Sequence, residues 1–298
     1  MLKKFEEILI KNFPHSPTKG QLNLFKQISK YVLSKKEKTL LIVKGYAGTG
    51  KTTMIRSLVK TLPVINYKSV LLAPTGRAAK VITTYTGKSA YTIHKKLYLR
   101  KTIRSGRVVF KLQKNFHKNT IFIIDESSMI SNKGGNNEQL LFGNKSLLDD
   151  LFKYINEGEN CKLIFIGDTA QLPPVGLDIS PALNEEYLQS TFGYNVQSVE
   201  LTDVVRQKEE SGILENATQV RELIRQNKVE YPIFITKKHK DFKSIYSNKL
   251  EDGIRYAYDK FGRENTILIC YSNRSANRYN QQIRKQILDY ENEIEVGD

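Results

Sequence analysis

Gly45-Tyr46-Ala47-Gly48-Thr49-Gly50-Lys51-Thr52-Thr53 satisfies the pattern G-x-x-x-x-G-K-[ST], and it lies between an apolar run at 40–43 and a helix-periodic run at 52–62. A strand before and a helix after are the surroundings in which such a loop works. Its glycines let the backbone curl so that successive N–H groups and the helix N-terminus point at phosphate oxygens. Lys51 adds a mobile cation, and the Thr52 hydroxyl is a ligand for Mg²⁺. Gly45, Gly48, Thr49, Gly50, Lys51, Thr52 and Thr53 are therefore assigned to binding a nucleoside triphosphate, with ATP and Mg²⁺ as the expected cofactors.

Further apolar runs at 70–73, 120–124, 163–166 and 267–270 read as buried strands, and 21–33, 76–83, 147–156, 213–226 and 275–288 carry helical periodicity. This βαβ rhythm predicts an α/β architecture around a parallel sheet. The stretch 132–144 is rich in Gly and Asn and reads as a loop, Pro173-Pro174 breaks the chain just past a strand, and a domain junction is expected near 196–203. A length of 298 residues suits about two domains.

The run Ile121-Phe122-Ile123-Ile124 delivers Asp125 and Glu126 at a strand C-terminus, where α/β folds bind ligands. Asp125 suits the magnesium shell, and Glu126 can orient and deprotonate an attacking water. The alternative is an acidic pair that merely opens a helix ahead of Ser127 and Ser128. After the run at 163–166 comes Gly167-Asp168-Thr169-Ala170-Gln171, placing an amide beside the same sheet edge. Gln171 can accept from water and donate to a γ-phosphate, although a plain turn glutamine fits the spacing too. Arg206 lies just past the proposed junction, where an arginine arriving from another domain would stabilise γ-phosphate charge. An ordinary surface arginine is the competing reading.

The chain carries 47 Lys and Arg against 31 Asp and Glu, and eighteen of those cations fall between Lys38 and Ile124, a stretch with no Asp or Glu. Outside that stretch acids and bases nearly balance. A surface without internal counter-charge seeks polyanions, so nucleic acid is the expected partner, with a solvated lysine face as the plainer alternative. Cys161 and Cys270 are far apart in hydrophobic runs, which suits reduced thiols and excludes a disulfide scaffold. No apolar stretch nears the ~20 residues that span a bilayer, and 1–11 interleaves Glu6 and Glu7 with lysines, unlike a secretory leader. A cytoplasmic, nucleoid-associated protein with no membrane partner is expected.

Five blocks in order resemble the superfamily 1B DNA helicases of the RecD-like and Dda-like kind: the phosphate loop, Leu72-Ala73-Pro74-Thr75-Gly76-Arg77-Ala78-Ala79, Ile124-Asp125-Glu126-Ser127-Ser128-Met129, Gly167-Asp168-Thr169-Ala170-Gln171-Leu172-Pro173-Pro174-Val175, and Leu201-Thr202-Asp203-Val204-Val205-Arg206-Gln207. The resemblance implies a RecA-like P-loop NTPase domain (1–203) followed by an incomplete second RecA-like domain (204–298). It implies that Gln21 contacts adenine, that Pro74 and Thr75 touch single-stranded DNA, and that Thr92-Ile93-His94 is a further motif, with His94 either a DNA contact or a structural residue. Residues 267–288, with Asn273 and Asn280, resemble the first strand and helix of the second domain's helicase face, and Asn273 is a DNA-binding candidate. The family's later His/Gln/Gly-bearing block and final Thr-Arg block do not occur before Asp298, so the chain is expected to be part of a longer protein. The implied activity is ATP hydrolysis coupled to 5′→3′ translocation on single-stranded DNA and opening of duplex junctions by a monomeric motor. A non-hydrolysing nucleotide- and nucleic-acid-binding chain, an RNA helicase of the same superfamily, and an AAA-type remodeller are the alternatives.

Between these blocks, 97–103 and 108–112 flank the turn signal Arg104-Ser105-Gly106-Arg107 and predict a β-hairpin within 97–118. In the resembled helicases a hairpin here acts as the pin that splits the duplex. Phe110 and Tyr98, with the neighbouring cations, suit base stacking and phosphate contact, or else the aromatics pack on the domain.

Overall fold

The apolar runs at 40–43, 70–73, 120–124 and 163–166 become four neighbouring strands of one parallel sheet. The computed structural model describes residues 1–102, 108–134, 141–142, 146–203, 211–226, 228–290 and 292. They belong to two units, Met1–Lys208 and Glu209–Asp298.

The first unit opens with α1 (Leu2–Lys11) and α2 (Lys19–Leu33), then β1 (Thr39–Gly45), α3 (Lys51–Thr61), β2 (Lys68–Ala73), α4 (Gly76–Thr86), β3 (Ala90–Thr92) and α5 (Ile93–Leu97). The chain continues through β4 (Tyr98–Thr102), β5 (Val108–Leu112), β6 (Lys118–Ile124), β7 (Leu141–Phe142), α6 (Leu147–Asn156), β8 (Glu159–Gly167), α7 (Glu185–Phe192) and β9 (Asn195–Leu201). Strand order in the main sheet is β3-β2-β6-β8-β1-β9, and every pairing is parallel.

Alternation along each central strand feeds two cores. Leu41 and Val43 of β1, Ile121 and Ile123 of β6, and Ile164 and Ile166 of β8 pack with α1 to α4. Leu40, Ile42, Phe122, Ile124, Leu163 and Phe165 pack on the opposite face with Leu148, Leu151, Phe152 and Ile155 of α6. A sheet covered on both faces reads as continuous apolar runs, which is why these strands were visible in sequence. Burying each such side chain contributes roughly 1.5–3 kcal/mol.

Local signals set the helix ends. Thr18 and Gln21 form a capping box at α2, Ser146 and Asp149 form another at α6, and Thr75 caps α4 by accepting from the Ala78 N–H. The expected helix at 76–83 runs on to Thr86 because termination falls to Gly87, whose φ of 70° stops the helix.

The stretch 196–203, near which a domain junction is expected, contains most of β9, an edge strand paired with β1 from Thr39↔Asn195 to Gly45↔Leu201, and the first unit runs on to Lys208. Only Val196, Val199 and Leu201 of that strand are buried, and this sparse spacing resembles a polar linker in sequence. Within the stretch 132–144, Leu141–Phe142 pairs with β5, and 135–140 and 143–144 lie outside the described residues. The hairpin forms as β4 and β5, antiparallel from Tyr98↔Leu112 to Thr102↔Val108, and its turn at 104–107 lies outside the described residues.

The second unit contains α8 (Gly212–Arg225), α9 (Leu250–Phe261) and α10 (Asn273–Gln286). Asp241 ties the start of α8, accepting from Ser211 Oγ at 2.7 Å and the Gly212 N–H at 2.9 Å. The expected strand at 267–270 belongs to no sheet among the described residues, and Ile267 and Ile269 are 64% and 86% exposed. A buried parallel strand needs paired neighbours and covering helices; the described residues of this unit supply no strand partner.

Candidate nucleotide-binding site

The loop leaving β1 is shaped by two glycines with left-handed backbone, Gly48 at φ 80° and Gly50 at φ 88°. A Cβ on Gly50 would lie 2.7 Å from Gln21 Nε2, so the position needs glycine for space as well as for φ. The Thr49 hydroxyl donates to the Tyr46 carbonyl at 2.8 Å, and Lys51 Nζ donates to the carbonyls of Gly45 (2.6 Å) and Tyr46 (2.8 Å). Lys51 is thereby folded over its own loop, and an arriving phosphate competes with carbonyl oxygens for its protons. Thr52 and Thr53 occupy the first turn of α3, both half-buried.

Gln21 braces this loop from α2. Its Oε1 accepts from the Thr18 N–H at 3.0 Å and its Nε2 donates to the Thr49 carbonyl at 2.9 Å, with the residue 5% exposed. Both polar atoms of the expected adenine contact are thus engaged within the protein. Asp203, just past β9, accepts from the Gly20 N–H at 3.4 Å beside the same helix start.

Asp125 and Glu126 emerge from β6, whose neighbour β8 separates it from β1. The Asp125 N–H continues the ladder to the Leu72 carbonyl at 3.0 Å, and Asp125 Oδ1 accepts from the Glu126 N–H at 3.0 Å. Burial, then the Glu126 charge, push the Asp125 carboxyl up to about 6, against the pull of that N–H and of Lys51. Glu126 is also pushed up, chiefly by burial, with Lys51 opposing and Asp168 adding to the rise. β1, β8 and β6 run parallel, so the phosphate loop after β1 and the acidic pair after β6 share the C-terminal rim of the sheet. Glu126 holds φ 54° and ψ 37°, left-handed backbone that costs a non-glycine residue about 1–2 kcal/mol.

Asp168, at the end of β8, is a functional candidate that sequence reading passed over. It is 1% exposed, its Oδ1 accepts from the Ala170 N–H at 3.0 Å, and its charge reaches Glu126. Its place at the end of an apolar strand was the available signal. Gln171 follows on the turn, side chain exposed, its N–H donating to the Asp168 carbonyl at 3.2 Å. Arg206 lies outside the described residues.

The donor set fits magnesium. Among the described residues no three His, Cys, Asp or Glu assemble a metal cage. Asp125 and the Thr52 hydroxyl offer a hard-oxygen pair, and Mg²⁺ in nucleotide sites typically takes one or two carboxylates together with substrate phosphates.

A family model described as an AAA domain matches residues 18–239. The chain belongs to that family. Two curated relatives are named as ATP-dependent DNA helicases. The chain is 28% identical over 295 residues to the ATP-dependent DNA helicase dda of enterobacteria phage T4, a match covering 94% of this chain and 60% of that protein. It is 26% identical over 179 residues to the ATP-dependent RecD2 DNA helicase of Deinococcus radiodurans, covering 60% of this chain and 21% of the relative. The crystal structure of Pif1 helicase from Candida albicans aligns with a TM-score of 0.43 at 19% identity, covering 88% of this chain and 60% of that one. The chain thus spans about 60% of the length of its phage relative.

Of the nucleic-acid candidates, Pro74, Thr75, His94 and Phe110 fall in the AAA-family match and Asn273 in the second unit. Pro74 is half-buried at the end of β2, and Thr75 is exposed with its Oγ1 committed to the α4 cap. His94, half-buried on α5, is pushed down from the usual histidine value by burial, and its ring lies 5.9 Å from that of Tyr98. Tyr98 is buried, its hydroxyl donating to Asp150 at 2.7 Å, so its ring is not presented for base stacking. Phe110 is half-buried and packs against the core that includes residues of α6. Asn273 is exposed at the first turn of α10, in the second unit. Both cysteines are free thiols, and no helix among the described residues is long and apolar enough to cross a membrane.

Proposed function

We propose that this chain is the ATP-hydrolysing part of a DNA helicase that moves 5′→3′ on single-stranded DNA and opens duplex junctions. The observation that carries the reading is that β1, β8 and β6 run parallel side by side, so that the loop bearing Lys51 and the pair Asp125 and Glu126 leave the same C-terminal rim of the sheet. Lys51 turns from its loop carbonyls to the phosphates, and the loop N–H groups receive the phosphate oxygens. Thr52 and Asp125 would hold Mg²⁺, which when bound neutralises charge developing on the transferred phosphoryl group. Glu126, its proton affinity raised by burial and by Asp168, orients the attacking water and takes its proton. Gln171 senses the γ-phosphate at the end of β8, and Arg206 is assigned on sequence grounds the stabilisation of its charge. Gln21 holds the loop against α2 as well as bordering the adenine. The basic stretch 38–124 supplies the nucleic-acid surface, with Pro74, Thr75, His94, Phe110 and Asn273 as the proposed contacts.

ATP hydrolysis measured with and without single-stranded DNA or RNA, together with unwinding of duplexes bearing 5′ or 3′ overhangs, tests this. Stimulation by DNA and opening of the 5′-tailed DNA duplex support the proposal. Hydrolysis stimulated only by RNA, opening from 3′ tails alone, or absence of hydrolysis overturns it.

A further inference from the structure

The rim where β1 and β8 begin holds a cavity of about 650 Å³. It lies at the end of the strands opposite the phosphate loop, roughly 20 Å away along β1. Its lining includes Lys35, Lys36, Glu37 and Lys38 from the turn between α2 and β1, Asn156 at the end of α6, and Lys162 of β8. Four cations thus line it against a single carboxylate.

The turn that carries the lysines is fixed from inside. The hydroxyl of the buried Tyr31 donates to the Leu163 carbonyl at 2.7 Å and accepts from the Leu163 N–H at 3.1 Å. Lys162, itself 5% exposed, donates from Nζ to the Tyr31 carbonyl at 3.0 Å and to the Ser34 carbonyl. Within the turn the Lys36 N–H donates to Ser34 Oγ at 3.2 Å, and the Lys38 carbonyl accepts from the Asn195 N–H at 2.8 Å. The main chain is therefore set before any ligand arrives, while the side chains of Lys35, Lys36 and Lys38 are exposed. Such preorganisation lowers the cost of binding.

A competing task for lysines at this rim is to neutralise the negative ends of α2 and α6, which both terminate here. Other groups already perform it. Lys162 bonds carbonyls at the end of α2, and Asn115 Nδ2 donates to the Tyr154 carbonyl of α6 at 2.9 Å. Among the described residues no ion pair engages Lys35, Lys36 or Lys38. Asn156 Oδ1 accepts from the Tyr194 hydroxyl at 2.6 Å, which leaves N–H groups as what that amide offers. Cations and donors around a volume in the roughly 300–1,000 Å³ range of small-ligand sites suit a compact anion with several oxygens. Tyr194 is the one aromatic residue of the lining and is 5% exposed, so no base-stacking platform accompanies the charge.

We propose that this cavity is an oligophosphate site, separate from the nucleotide rim, in which Lys35, Lys36 and Lys38 bind a pyrophosphate-like anion, either free or as successive phosphates of a nucleic-acid strand. Binding here does not depend on ATP hydrolysis, so it stands or falls apart from the helicase reading.

Pyrophosphate titrated into the whole isotope-labelled chain tests this, with amide shifts followed separately for the phosphate loop at 45–53 and the cavity at 35–39 and 156–163. Shifts should appear at both places. Lys36→Ala combined with Lys38→Ala should weaken the cavity's apparent affinity about 10-fold or more and leave the loop's response as it was. Both side chains are exposed, so the unfolding midpoint of that double variant should match wild type. Lys51→Ala should weaken the response of the loop and not that of the cavity. Single-stranded DNA added afterwards separates the two sources: displacement of pyrophosphate from 35–39 identifies strand phosphates as the ligand, and its retention identifies a free anion. Cavity amides that do not move, that move equally with chloride at matched ionic strength, or that move as far in the double variant would overturn the proposal.

Discussion

The side-chain amide of Gln21 donates to the backbone carbonyl of Thr49 across 2.9 Å, joining the first turn of α2 to the crest of the phosphate loop. The same side chain closes the α2 capping box through Thr18. Gln21→Ala removes both, leaving a buried carbonyl and a helix N–H without these partners, and should lower stability by about 1–3 kcal/mol in chemical denaturation. Nucleotide affinity should fall in the same variant because the loop loses its brace. Gln21→Glu separates the two roles: one oxygen still accepts from Thr18, but the other faces the Thr49 carbonyl without a proton to offer. It should keep more of the stability than Gln21→Ala and bind nucleotide no better. Wild-type affinity in both variants would show that the loop holds its shape unaided.

The phosphate loop and its flanking elements were legible because every constraint there is local: a buried strand, glycines where φ is positive, a helix at once. The acidic pair was legible for the same reason, being the abrupt end of an apolar run. Gln21's embrace of Thr49 was not, since it joins residues 28 apart in sequence through a backbone atom that carries no sequence signal. Likewise β9 was hidden by its edge position, and sequence left Tyr98 between stacking and packing because its buried partner Asp150 lies 52 residues away. The run at 267–270 has the apolar content of a strand, but strands exist only in pairs, and composition cannot supply a neighbour.

Glu126, proposed above as the base, has left-handed backbone and lies near the charges of Asp125 and Asp168. Glu126→Gln removes the proton acceptor but leaves Lys51 and the loop in place, so nucleotide binding should persist while hydrolysis falls about 10²–10⁴-fold. Replacement should also stabilise the fold, because charge repulsion disappears. Glu126→Gly should add up to about 1 kcal/mol beyond Glu126→Gln by relieving the backbone as well. Thermal unfolding of the two variants without nucleotide checks this order. A Glu126→Gly protein less stable than wild type would show that the side chain is a structural strut.

Acid sensitivity should come in part from two histidines near the base of the hairpin. Burial pushes His94 below the usual 6.5. Burial, then Lys96 and Lys68, do the same to His117. Each is easier to protonate in the unfolded chain than in the folded one, so their contribution is fully present above about 6.5 and is lost as pH falls through the folded values. Unfolding midpoints followed from pH 8 to 5 should decline more steeply for wild type than for His94→Gln or His117→Gln. Parallel curves would mean that the acid response arises elsewhere.

The cations of the stretch 38–124 also make a prediction that separates the nucleic-acid surface from the nucleotide site. Arg77 and Lys80 on α4, and Arg100, Lys101 and Lys111 on the hairpin, are all exposed. Each phosphate neutralised on a single strand releases counterions and adds about −0.7 to the slope of log affinity against log salt. Four such contacts would weaken single-stranded DNA binding about 50-fold between ~50 and ~200 mM salt. Arg100→Ala and Lys101→Ala should each flatten the slope by about 0.7 if their side chains meet phosphates. Lys51→Ala should leave slope and affinity alone while abolishing hydrolysis, because Lys51 lies over its own loop carbonyls at the nucleotide rim. A slope that Lys51→Ala changes and Arg100→Ala does not would move the polynucleotide from the hairpin to the mouth of the phosphate loop.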